Sequence, residues 1–265
     1  MTVQAKEPLL ELINVEKSFN RRGDTPLRAV ANVSLSVGHG ETVALVGESG
    51  SGKSTLGRIA LCLMPLDKGE VRLAGKRLSG LSRNELRTAR LPMQPIFQDP
   101  TSSFNPRRTV HQLLDQALVG TPPVQRVDRA IDLLDRVGLK GGHGLLSRFP
   151  HELSGGQRQR LAIARALCMD PKLIIADEPL SGADVSIRGQ VLNLLSDLQD
   201  SSGVAYLMIT HDISIARAFA HRVAVMMKGE IVETGPAAQV LSTPEHPYTR
   251  RLVAAVPSLE FDKFA

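Results

Sequence analysis

Tryptophan is absent from this chain, and its 265 residues include two tyrosines and seven phenylalanines. So sparse an aromatic content excludes a base-stacking platform for single-stranded nucleic acid. Cysteine is as scarce. Cys62 and Cys168 both sit in helix-like apolar sequence, where buried thiols are expected rather than a disulfide. The histidines show no paired metal-ligand spacing. No apolar run approaches the ~18 residues that a spanning helix needs. Near the start, Leu9-Leu10 is broken by Glu11 and no small-residue cleavage site follows, so no signal peptide is read. The expectation is a soluble protein that reaches a membrane, if at all, through a partner. Internal repeats, low-complexity linkers and an Asn-Lys-x-Asp base-reading motif are also missing, and the last absence argues against a GTPase.

What is present is an ordinary globular composition, 42% hydrophobic and 22% charged, enough for one large domain. The net charge is +5, but the arginine pairs at 21–22, 107–108 and 250–251 are scattered. That balance suits a nucleotide and an anionic membrane surface better than DNA. The N-terminal third reads as strands and tight turns: 9–19, 28–37, a turn at 38–41, the apolar run 42–46, and a hairpin around Ala74-Gly75. From about Ser82 to Asp170 the period becomes helical, with Val127, Ile131 and Leu134 at i, i+4 and i+7. Strands return at 173–176 and 204–210, and short apolar runs separated by helices predict a buried parallel sheet. Residues 223–234 read as a late antiparallel hairpin turning at Lys228-Gly229. The tail from Pro244 carries a short amphipathic helix. Pro95 is an odd residue inside the strand leading to Gln98 and demands an edge or a bulge.

The strand at 42–46 runs into Gly47-Glu48-Ser49-Gly50-Ser51-Gly52-Lys53-Ser54-Thr55. This is G-x-x-x-x-G-K-S between a strand and a helix, the context a phosphate loop requires. Its glycines let successive backbone N–H groups point at phosphate oxygens. Lys53 supplies a point charge for the β- and γ-phosphates, and Ser54 a hydroxyl for Mg²⁺. The motif specifies a nucleoside triphosphate. A second apolar strand ends in Asp177-Glu178. Asp177 is placed to hold Mg²⁺ through water, and Glu178 to polarise the attacking water as general base.

Between these motifs stands Leu153-Ser154-Gly155-Gly156-Gln157. Ser154 and Gln157 fit a capping box, and the bare glycine amides make the helix start an anion site. One chain thus carries two phosphate-binding elements. The order Gly47–Thr55, Leu153–Gln157, Leu173–Glu178 resembles the nucleotide-binding domain of ABC transporters. The resemblance implies an α/β fold over 9–257: a phosphate-loop ATPase core, an N-terminal antiparallel β lobe and an inserted helical lobe of about 82–170, with a tail helix in 244–265. It implies ATP and Mg²⁺ as cofactors. It also implies that the signature Ser154, Gly155, Gly156 and Gln157 acts in trans, on the γ-phosphate held by a second subunit.

The same resemblance gives Phe19 an adenine-stacking role, with a plain core phenylalanine as the alternative, and Gln98 a place beside Mg²⁺ and water. It puts Asp184 in a dimer-contacting loop, where Ala183 stands in place of the usual leucine. His211 becomes a γ-phosphate contact. Phe97-Gln98-Asp99-Pro100-Thr101-Ser102-Ser103-Phe104-Asn105-Pro106-Arg107 and His246-Pro247-Tyr248-Thr249-Arg250 narrow it to importers of oligopeptides, dipeptides and nickel. The cysteine-rich tail that holds an iron–sulfur cluster in some members cannot be built here. Implied partners are a second ATPase subunit (a different paralogue or a homodimer), two integral membrane permease subunits docked near Gln98 and the helical lobe, and an extracytoplasmic binding protein. No nucleic acid is implied. The implied location is the cytoplasmic face of the inner membrane, held peripherally. The rival reading is a non-transport ABC ATPase acting on nucleic acid or ribosomes, which would favour a heptad insertion or a second ATPase domain in the chain.

Overall fold

A computed structural model describes residues 7–20, 26–99, 103–181 and 185–255. Two sheets organise it. The strands β1 (Leu10–Phe19), β2 (Leu27–Val37), β4 (Lys68–Leu73) and β5 (Lys76–Arg77) form an antiparallel sheet in the order β2-β1-β4-β5. A six-stranded sheet runs β10-β9-β3-β8-β7-β6, from β10 (Glu230–Pro236) and β9 (Arg222–Met227) through β3 (Thr42–Val46) and β8 (Ala205–Thr210) to β7 (Leu173–Asp177) and β6 (Met93–Ile96). Its pairs are parallel except β9–β10, the expected late hairpin.

Every residue of β3 and of β8 is buried, which is why these segments read as unbroken apolar runs. Alternate side chains then serve opposite faces. Val43, Leu45, Leu207 and Ile209 pack with Leu10, Val30 and Val33 of the antiparallel sheet and with Leu56 and Ile59 of α1 (Lys53–Ala60). Tyr206 and Met208 face a second core that includes Leu133 of α4 (Arg126–Arg136), Leu161 of α6 (Gly155–Leu167) and Leu195 of α7 (Val185–Ser202). Ala44 and Val46 turn to a third, smaller core with Ile213 of α8 (Ile213–Phe219), Val240 of α9 (Ala237–Ser242) and Tyr248 of α10 (Pro247–Ala254).

The helical region differs from the 82–170 expectation. After α2 (Arg83–Ala89), β6 returns the chain to the six-stranded sheet, paired with β7. The continuous helical lobe therefore begins past Gln98 and includes α3 (Val110–Asp115), α4 and α5 (Gly142–Leu146). The strand leading to Gln98, read around Pro95, is β6, and its return to the sheet interrupts the helical stretch expected from 82. Among the described residues β6 is the sheet's edge strand and bonds on one side only, and an edge is where a residue without an N–H is tolerated.

Candidate active site

The phosphate loop is shaped by glycines that nothing else could replace. At Gly52 the backbone is left-handed (φ 107°), and an added Cβ would lie 2.1 Å from the Ala29 carbonyl oxygen. At Gly47 a Cβ would lie 2.2 Å from the Met226 oxygen. The loop is wedged between β2 and the β9–β10 turn, where Gly229 donates to the Ser51 carbonyl at 2.9 Å. Gly52 caps α1 with no side chain, so the first amides of the helix stay available to an anion. Lys53 is buried, with Nζ donating to the carbonyls of Gly47 (2.7 Å) and Glu48 (2.8 Å). Burial holds its pKa below the ordinary value, against the pull of Glu178, Asp177 and Glu48.

Beside the loop, Ser54 Oγ donates to Asp177 Oδ1 at 3.0 Å. Burial pushes the Asp177 carboxyl above its ordinary pKa, against that bond, and the charge of Glu178 adds to the push. A hydroxyl and a half-buried carboxylate with excess negative charge are the hard oxygen donors that fit Mg²⁺ alongside phosphates. The chain then kinks at Glu178, whose φ of 48° is left-handed. For a residue with a Cβ that conformation costs about 1 kcal/mol or more. The kink is held by Glu178 N–H donating to the Ile209 carbonyl at 2.8 Å. It carries the carboxylate to His211, with Oε1 2.8 Å from Nδ1. Gln98 Nε2 donates to Ser181 Oγ at 3.3 Å.

These groups share one open cavity of about 1030 Å³. Its walls include Phe19, Gly47–Gly50, Gly52–Thr55, Gln98, Glu178 and His211. Asp177 and Ser51 stand behind that wall, each bonded to the loop. Phe19 is 36% exposed and faces the cavity rather than the core, with Lys17 Nζ 5.9 Å from its ring centroid. The wall also contains Leu27, Arg28, Lys228 and Leu252, which carried no sequence signal of a site. Asp184, with Gly182 and Ala183, lies outside the described residues.

The signature stands apart. Ser154 caps α6 as expected: its Oγ accepts from Gln157 N–H at 3.3 Å, and its own N–H donates to Gln157 Oε1 at 2.9 Å. Ser154 and Gly155 are exposed, and none of Ser154, Gly155, Gly156 and Gln157 lines the cavity. A Cβ on Gly155 would meet nothing within 4 Å. The helix start therefore presents its amides to the outside of the molecule.

Residues 30–181 match the ABC transporter family. The chain belongs to it. Residues 232–264 match a further family, the oligopeptide/dipeptide transporter C-terminal region. Among curated proteins, the ABC-family chain is 48% identical over 98% of its length to the glutathione import ATP-binding protein GsiA of Shigella dysenteriae. It is 47% identical over 98% to that of Escherichia coli K12. It spans 43% of the length of either relative. Two solved ABC structures are also similar. MJ0796, described as a dimeric bacterial ABC transporter cassette, is 31% identical with a TM-score of 0.77, over 86% of this chain and 98% of that one. The protein cbiO1 of Clostridium perfringens, described as part of the ABC transporter complex cbiONQ, is 27% identical with a TM-score of 0.78, over 95% and 97%.

Proposed function

We propose that this chain hydrolyses ATP to energise import of a solute through separate membrane permease subunits. Peptides are the favoured solute class: the C-terminal match is to oligopeptide and dipeptide transporters, and the GsiA relatives are named for glutathione. Nickel is the family's other option. One observation carries the reading. A complete triphosphate cradle and an exposed signature helix start occupy separate places on one chain, as two half-sites used across a dimer require. The second half is a paralogue or another copy of this chain.

In this reading ATP enters with its base against Phe19 and its phosphates along Gly47–Thr55. Lys53 exchanges the Gly47 and Glu48 carbonyls for β- and γ-phosphate oxygens, at little desolvation cost because it is already buried. Ser54, Asp177 and Gln98 would hold Mg²⁺, which when bound neutralises phosphate charge. Glu178 orients the attacking water and accepts its proton, with His211 fixing the carboxylate through the Oε1 bond. Ser154 to Gln157 of the second subunit close over the γ-phosphate, and Asp184 belongs to the loop between subunits.

The permease contact expected near Gln98 has a candidate surface. A second cavity, of about 550 Å³, lies between edge strand β6 and the start of the helical lobe, lined by Leu63, Leu91, Pro95 and Val119 among others. Leu63, Leu91 and Val119 are exposed. In the segment 101–107, by contrast, Phe104 is buried under the Arg165 guanidinium, 4.9 Å from its ring centroid, which leaves Asn105 to Arg107 exposed. Thr101 and Ser102 lie outside the described residues. The complex would take solute from an extracytoplasmic binding protein and hold this chain at the cytoplasmic face of the membrane.

The deciding experiment is ATP turnover with Mg²⁺ by the chain purified with its partner ATPase subunit, beside the same complex carrying Lys53→Ala. Turnover that disappears in Lys53→Ala supports the reading. Equal turnover in the two proteins overturns it.

A further inference from the structure

The segment His246-Pro247-Tyr248-Thr249 has no part in the mechanism above, yet it reaches the phosphate loop. Tyr248 is 4% exposed, its ring packed in the third core. Its hydroxyl accepts the N–H of Glu48 at 2.9 Å. Glu48 follows Gly47 in the loop, and its carbonyl accepts from Lys53 Nζ and, at 3.2 Å, from Ser51 N–H. Both backbone polar groups of Glu48 are thus held: the carbonyl from within the loop, the N–H from the C-terminal helix. One turn beyond Tyr248, Leu252 joins the cavity wall.

The helix is itself anchored. His246 Nδ1 accepts the N–H of Tyr248 at 3.1 Å, capping α10. Glu233 on β10 accepts the N–H groups of Glu245 and His246 at 2.9 and 3.0 Å. Burial pushes the Glu233 carboxyl up, but the bonds from these two amides and the nearby His246 act the other way, and its pKa lies below the ordinary value. The strut therefore runs from β10 through α10 to the first turn of the phosphate loop. A glycine-rich loop has much conformational freedom to lose when it closes on phosphate. A fixed anchor at its entrance removes part of that loss before the ligand arrives.

We propose that Tyr248 is a positioning residue for the triphosphate: its hydroxyl holds the Glu48 peptide so that Lys53 and the following amides already face the phosphates. The proposal rests on the ATP reading above. The test uses the full chain with ATP and Mg²⁺. Tyr248→Phe keeps the buried ring and deletes the acceptor. The Kd and KM for ATP are expected to rise about fivefold, the loss of one neutral hydrogen bond. kcat should stay within about twofold and the nucleotide-free Tm should be nearly unmoved, because water can reach the Glu48 N–H. In a Glu48→Pro background, which has no N–H to give, the same change should cost no further affinity. Unchanged ATP affinity in Tyr248→Phe overturns the proposal, as does an effect confined to Tm or to kcat, or an equal loss in the proline background. A wild-type chain that binds no more ATP than Lys53→Ala overturns the ATP reading instead, so the two failures are distinct.

Discussion

Glu178 concentrates the cost of the site in one residue. It adopts a left-handed backbone that a glycine would adopt freely, beside the like charge of Asp177. Glu178→Gly is therefore expected to raise stability by about 1 kcal/mol while abolishing turnover. Thermal melting with an ATPase assay checks both halves, and a lower Tm would show that the backbone there is not strained. Glu178→Gln keeps the side chain's shape but cannot take a proton, so ATP should remain bound and unhydrolysed. Reactivity at the two thiols should be poor for a different reason. Burial pushes Cys62 up to about 11 and Cys168 up to about 12, so near pH 8 only about one Cys62 in a thousand is thiolate. A thiol-reactive dye should label the folded chain slowly and the urea-unfolded chain rapidly. Fast labelling of the native protein would contradict that burial.

Two helix starts show how the same element can be closed or open. At α1 the left-handed Gly52 leaves the amides to the loop's own cavity; at α6 the Ser154–Gln157 capping box fixes the turn but leaves the glycine amides exposed. Gly155→Asp tests the difference. The new Cβ meets open space, and an aspartate in the first turn favours the helix, so the fold should stand and the monomer should bind ATP as before. Turnover should fall on the order of a hundredfold or more, as expected when a transition-state charge contact is replaced by a negative group. Equal loss of ATP binding in the isolated monomer would place the signature in its own cavity. Gly52→Ala should behave oppositely: its Cβ has no room beside the Ala29 carbonyl, so the protein should lose both ATP binding and stability.

For the whole molecule, the proposed pair of half-sites makes association the observable. Glu178→Gln with ATP and Mg²⁺ should run as a dimer by light scattering, with the partner paralogue added if the chain does not pair with itself. Removing one carboxylate beside the γ-phosphate also lowers repulsion across the closed interface. A protein that stays monomeric under both conditions would count against trans use of the signature. The cavity beside β6 gives a second test. Val119→Asp charges its exposed rim, 66% exposed in the wild type, and should abolish stimulation of ATPase by the proposed permease partner while leaving basal turnover intact. Persisting stimulation would move the docking surface elsewhere.

The sequence by itself determined the parts whose function depends on local order. The phosphate loop, the capping box at Ser154, the acids ending β7 and the buried strands at 42–46 and 205–210 are contiguous, and each is dictated by residue type at fixed spacing. Pro95 was legible as an edge residue before the edge was known. Only tertiary structure decided between an edge and a bulge for that strand, by setting β6 beside β7 at the end of the sheet. Only tertiary structure brought Glu178 to His211, through a left-handed kink that no residue preference would suggest for glutamate. It alone placed Leu27, Lys228 and Leu252 around the cavity and Tyr248 against Glu48, two hundred positions apart. Contacts of that separation are selected by how the sheets and helices pack, so the side chains that make them look like ordinary core and surface residues until the chain is folded.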